Sequence, residues 1–179
     1  MSAPETDPDG DRPGEPEGEP EYNVSLVVGS LIAGVFFGGV GGGVAFPTLP
    51  TLGSLLGIAP FTVGLILSAN RFTRLVMNTP AGQVIDRVGA RRPMIAGLFL
   101  QAATPFGYVV GLTPERVPVL GAAEIFFFSR TLWGIGSAFV FIGAYSTVVH
   151  VTTPANRGRW IGYFRGGQSL GFPTGLVLG

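Results

Sequence analysis

From Val24 onward the chain falls into five long apolar stretches separated by short connections. The first runs from Val24 to Phe46 without a charge; the second, 61–81, carries Arg71 and Arg74. The third covers 94–112, the fourth 119–148 with Glu124 and Arg130 inside it, and the fifth 160–178. A helix rises about 1.5 Å per residue, so about 20 residues cross a hydrocarbon core of about 30 Å. Every stretch reaches that length, and the fourth exceeds it. The pattern predicts an all-α integral membrane protein with spans over about 24–46, 61–81, 94–112, 119–148 and 160–178. The first span is expected to stop at Pro47 and Pro50, because proline removes a backbone donor and crowds the preceding turn. Pro105 is expected to kink the third.

Ahead of these stretches, residues 1–21 are rich in Pro, Gly, Asp and Glu and nearly devoid of apolar side chains. Such a segment cannot bury enough surface to offset chain entropy, so it is expected to be a disordered acidic tail, with the membrane domain occupying 22–179. It lacks the basic start and apolar core of a signal peptide.

Composition sharpens the picture. Hydrophobic residues make up 46% of the 179 and charged residues 12%, with mean hydropathy +0.46. Soluble domains carry about a quarter charged residues, so an ordinary water-soluble globule is excluded. The formal net charge of zero conceals an asymmetry: eight of the eleven acids precede Tyr22. After it, Asp86, Glu115 and Glu124 face ten arginines, a body of about +7. These arginines are scattered between apolar runs rather than clustered on a polar face, which argues against nucleic acid. With no cysteine and one histidine, His150, neither a disulfide nor a thiolate or multi-histidine metal site is expected, and no cofactor is implied.

The charges between the stretches carry topology. Residues 47–60 are uncharged, whereas 82–93 carry Arg87, Arg91 and Arg92 and 149–159 carry Arg157 and Arg159. The positive-inside rule puts that side, and the N-terminus, in the cytoplasm. Small residues four apart allow helices to approach closely in a membrane. Gly34, Gly38 and Gly42 have this spacing in the first stretch, and Gly167, Gly171, Gly175 and Gly179 in the fifth. Both sets are expected to be packing faces.

Polar residues deep in the stretches are candidates for chemistry. Arg71, Arg74 and Asn78 stand at i, i+3 and i+7, on one helical face, with Asn70 beside them. Arg71 lies about 16 Å from the predicted cytoplasmic end; Arg74, at about 12 Å, is within snorkelling reach, as is Arg165 in the fifth stretch. Arg130 is near mid-membrane, where an arginine costs on the order of 3 kcal/mol and should face the bundle interior or water. Its structural alternative is capping carbonyls or pairing with Glu124. Three deep cations against that one acid leave about +2. Either the substrate is anionic, or acids on a facing wall complete the balance; the cost of unpaired charge favours the second. Gln101, Thr104 and Tyr145 are further hydrogen-bonding candidates, though isolated polar residues in bundles are usually structural. His150 is read as an interfacial histidine.

Two ordered motifs tie these residues together. Gly82-Gln-Val-Ile-Asp86-Arg87-Val-Gly89-Ala-Arg91-Arg92 resembles the loop 2–3 motif of the major facilitator superfamily, and Arg130-Thr-Leu-Trp-Gly134-Ile-Gly136 resembles its span-four motif. Pro154-Ala-Asn-Arg157-Gly158 is similar to the family's loop 4–5, and Phe46-Pro47-Thr-Leu-Pro50 to its drug-exporter members. In Gly171-Phe172-Pro173-Thr174-Gly175 one residue separates the Gly and Pro that antiporter members join directly, so antiport and symport both stay open. The resemblance covers residues of about 23–179. It implies the N-terminal six-helix half of a twelve-span fold, short of its last helix. It also implies a secondary transporter of a small molecule in the cell membrane, working by alternating access and coupled to protons or ions. Gly82, Asp86, Arg87, Gly89, Arg91 and Arg92 become the conformational gate. The coupling or substrate cavity falls to Arg130, Gly134, Arg71, Arg74, Asn78 and Glu124. The facing wall is expected from a missing C-terminal half or a partner half-transporter; the alternative is a truncated fragment or half-subunit inert on its own. ATP-driven transport is not expected, since there is no Gly-Lys-Ser/Thr sequence and no lysine. An intramembrane enzyme is discarded, because Glu124 is the only deep acid and His150 lies toward the other side.

Overall fold

The computed structural model describes residues 23–113 and 120–179. The acidic segment 1–21 and the segment 114–119 lie outside the described residues. Five helices follow in order: α1 Val24–Leu55, α2 Pro60–Val88, α3 Arg91–Gly111, α4 Ala122–Val151 and α5 Arg157–Leu178. α1, α3 and α4 are long and apolar enough to cross a membrane by length and composition. α2 and α5 have the length, at 29 and 22 residues, but carry more polar side chains.

The first helix does not stop at its prolines. It runs 32 residues, straight through Pro47 and Pro50. The missing N–H groups of Pro47 and Pro50 would have served the carbonyls of Gly43 and Phe46. Hydroxyls supply donors in the same stretch: Thr48 Oγ1 donates to the Val44 carbonyl at 2.7 Å and Thr51 Oγ1 to that of Pro47 at 3.3 Å. Neither hydroxyl reaches the Gly43 or Phe46 carbonyl, so the helix runs on without replacing the two lost bonds. The start of α1 is capped by Asn23, whose Oδ1 accepts from the Leu26 N–H at 3.2 Å. α3 likewise continues through Pro105 to Gly111.

The second departure is at the α2–α3 connection. Residues 82–88, expected in a loop, complete α2, and only Gly89 and Ala90 separate it from α3. Gly89 makes the turn with φ 79° and ψ 160°, a region essentially restricted to glycine.

α4 forms the centre of the bundle, packed against α2 on one side and α3 on the other, while α1 lies along α5. Small residues make these approaches. A Cβ on Gly134 would lie 2.8 Å from Thr73 Cβ and 2.9 Å from the Asn70 carbonyl on α2. One on Gly136 would lie 2.6 Å from the Gly97 carbonyl on α3. Two apolar clusters close the bundle at different heights. Val28, Val35, Ala144, Val148 and Phe164 join α1, α4 and α5; Leu49, Ile66 and Phe126 join α1, α2 and α4. Large apolar side chains such as Phe72, Phe99, Phe106 and Val177 point outward instead. This is the distribution a hydrocarbon solvent permits, since lipid does not drive them inward.

Candidate functional site

Between the two apolar clusters the helices part around a cavity of about 610 Å³, and all five contribute to its wall. α2 brings Asn70, Arg71 and Arg74 on adjoining positions of one face. α4 brings Arg130, Trp133, Ser137 and Phe141 at intervals of three, four and four residues, a single helical stripe. Gln101 comes from α3, Gln168 and Phe172 from α5, and Phe37, Phe46, Gly34, Gly38 and Gly42 from α1. No Asp or Glu among the described residues lines it.

The polar atoms here are poorly satisfied from within the chain. Arg130 is only 4% exposed, and its Nε is buried without a hydrogen-bond partner. Asn70 Nδ2 is in the same position. Both are donors, so the wall presents N–H groups that await an acceptor. Arg74 is turned into the bundle. With α2 continuing to Val88, it stands 14 residues, about 21 Å, from that end. Its guanidinium instead lies over the Phe141 ring, 4.4 Å from the centroid. Arg165, the other arginine expected to snorkel, is exposed on α5 with its guanidinium 5.7 Å from the Tyr145 ring centroid.

Of the cavity residues singled out in the sequence, the fold brings Arg71, Arg74 and Arg130 together. Asn78 is half-buried further along α2 and does not line the cavity. Glu124 is exposed in the first turn of α4, its Oε2 2.7 Å from where a Gly121 Cβ would stand, so it does not balance Arg130. Gly134 is behind the wall, in the α2–α4 contact. Thr104 is buried and donates to the Leu100 carbonyl at 2.9 Å, a structural role. Sequence reasoning missed Trp133, Ser137, Phe141, Gln168 and Phe172. The first three share the Arg130 face at helical spacing, so the signal was present.

The motif at the α2–α3 junction lies apart from this cavity. Asp86 and Arg87 occupy the last turn of α2, and Arg91 and Arg92 open α3. A carboxylate at a helix C-terminus is disfavoured by its own helix dipole. Only a two-residue turn, Gly89 and Ala90, separates its helix from α3, whose start has no side-chain cap. Asp86, Gly89 and Ala90 share a recess of about 380 Å³ with Ser146, Thr147 and His150 of α4. His150 Nδ1 is 2.8 Å from the Ser146 carbonyl. A Cβ on Gly82, the first residue of this motif, would meet nothing within 4 Å. Arg157 Nη2 donates to the Thr152 carbonyl at 3.3 Å, closing the α4–α5 connection.

Comparison with known proteins adds four findings. The family model described as Major Facilitator Superfamily matches residues 31–179. Multidrug resistance protein 1 of Bacillus subtilis (strain 168) is 29% identical over 140 residues, which is 78% of this chain and 34% of that relative. Multidrug resistance protein 2 of the same organism is 26% identical over 78% of this chain and 33% of its own length. The chromaffin granule amine transporter of Homo sapiens is 29% identical over 65% of this chain and 21% of its own. The chain thus spans about a third of the length of the two bacterial relatives.

Proposed function

We propose, given that this chain belongs to the Major Facilitator Superfamily, that its five helices form one wall of the translocation path of a secondary active transporter. It is a multi-pass membrane protein of a transporter family, the drug-exporter type included. In our reading a small solute binds in the cavity at Arg71, Arg74 and Arg130, and rigid-body rocking exposes it to each side in turn. Proton or ion coupling runs through Arg130. Asp86, Arg87, Arg91 and Arg92 gate the opposite end, which faces the cytoplasm together with the N-terminus. A further helical half, continuous with this chain or supplied by a partner, provides the facing wall. On its own the chain then moves no solute.

The observation that carries this reading is the wall itself: three arginines held at mid-height, between closed apolar clusters, around a cavity of about 610 Å³. Intramembrane charge is costly and is retained where it serves a path or a binding site. The short coverage of the bacterial relatives supports the need for a facing half.

The test is solute-evoked proton movement in pyranine-loaded proteoliposomes, with the gene and transcript sequenced beyond the Gly179 codon. The protein encoded by the full reading frame should respond to at least one solute of a broad panel, and Arg130→Gln should abolish the response. Persistence of that response in Arg130→Gln would remove the coupling role. A response from the chain alone would remove the need for a facing half.

A further inference from the structure

We infer that the cavity selects an anionic aromatic solute, held by its acid group at Arg71, Arg130 and Asn70 and by its ring against Trp133 and Phe172. This deepens the transport reading above and rests on it.

The chemistry of the wall is one-sided. Its charged groups are three arginines, and no carboxylate among the described residues faces them. Its buried unsatisfied atoms, Arg130 Nε and Asn70 Nδ2, are both donors. A carboxylate or sulfonate supplies acceptors, and charge-assisted bonds to guanidinium are about twice as strong as neutral ones. A lipophilic cation would meet three like charges in a low-dielectric site. Four aromatic rings, those of Phe37, Phe46, Trp133 and Phe172, line the same cavity. Arg74 already lies over Phe141, which leaves Arg71 and Arg130 as the free anion-binding pair.

Buried arginine would also be tolerated if carboxylates from a facing half neutralised it. That arrangement favours a cationic or neutral solute, so the charge preference of the ligand separates the two.

These 179 residues contain two tryptophans, of which Trp133 lines the cavity. Trp160→Phe therefore leaves a single reporter at the site. The experiment titrates this variant in lipid nanodiscs with three probes of matched shape: 3,5-diiodobenzoate, its neutral amide and 3,5-diiodobenzylamine. Quenching by the benzoate should saturate, with affinity at least about tenfold above the amide and the amine. Arg71→Gln and Arg130→Gln should each weaken the benzoate by about tenfold to a hundredfold, the range of a lost charged hydrogen bond. The amide should be unaffected. Circular dichroism checks that each variant keeps its helices. Arg71 is exposed at the cavity rim, so its variant tests the idea even where Arg130→Gln fails to fold. Equal affinity for all three probes, preference for the benzylamine, absence of saturable quenching, or indifference of the benzoate to both substitutions would each overturn the inference. Benzoate binding to this chain, with no solute from the panel moved by the full-frame protein in proteoliposomes, would sink the transport reading and leave the anion preference of the cavity standing. Movement evoked by the amine alone would do the reverse.

Discussion

Gly43 of α1 and Gly175 of α5 approach so closely that a Cβ on either would stand 2.8 Å from the Cα of the other. Gly39 and Gly171 repeat the contact one turn earlier, at 3.1 and 3.2 Å. The α1–α5 pair is therefore a backbone-on-backbone contact that admits no side chain. Such packing, not hydrophobic burial, is what associates helices in lipid.

Substitution at this seam should be costly. Gly175→Ala would overpack the contact, and an overpacked site costs about 1–3 kcal/mol. Gly34→Ala is the control, since its Cβ would meet nothing within 4 Å. Thermal unfolding followed by circular dichroism in nanodiscs should show a lower midpoint for Gly175→Ala and little change for Gly34→Ala. Equal midpoints would mean that the seam is not tight.

Arg74 and Phe141 should be energetically coupled through the 4.4 Å stacking. A desolvated cation–π pair contributes on the order of 1–2 kcal/mol. A double-mutant cycle of Arg74→Gln and Phe141→Leu, read by unfolding, should return a coupling of about that size. Additive effects would leave Arg74 as a cavity cation with no such tether.

At the α2–α3 turn, Gly89→Ala forces a Cβ onto a backbone with φ 79°, a strain of about 1–3 kcal/mol, although nothing crowds it. Gly82→Ala should leave the stability of these five helices unchanged, because its surroundings are open. If Gly82→Leu is neutral for unfolding yet abolishes solute-evoked proton movement in the full-frame protein, the glycine contacts something outside this bundle. Destabilisation of the chain alone by Gly82→Leu would refute that contact.

Asp86→Asn should slow proteoliposome flux by about tenfold or more while leaving benzoate quenching of Trp133 within about twofold. The recess that holds Asp86 is at the α2–α3 end, separate from the cavity. A parallel loss of probe binding would place Asp86 in solute recognition rather than in gating.

Local pattern in the sequence was enough to predict an all-α membrane protein, the superfamily motifs and a polar α2 face bearing Arg71 and Arg74. These depend on hydropathy, helical period and residue order along one segment, and all three are local. The tertiary structure decided which face meets which neighbour. Gly34, Gly38 and Gly42 have the spacing of a packing stripe, yet they line the cavity, and Gly39 and Gly43 make the contact with α5. Two glycine stripes one residue apart are indistinguishable by period; the rotation of α1 about its axis selects between them, and that rotation is fixed by α5. The same holds for Arg74, whose reach to the membrane edge depended on where α2 ends and whose ring partner lies 67 residues away on α4. Pro47 ends a helix by the local rule, which counts only the lost backbone donor, whereas α1 runs on to Leu55 with Gly43 packed against α5 and Leu49 packed with Ile66 and Phe126 on either side of that gap. Segment identity is written in nearest neighbours along the chain, whereas a cavity is a shared property of five helices whose rotations and crossings only their mutual contacts determine.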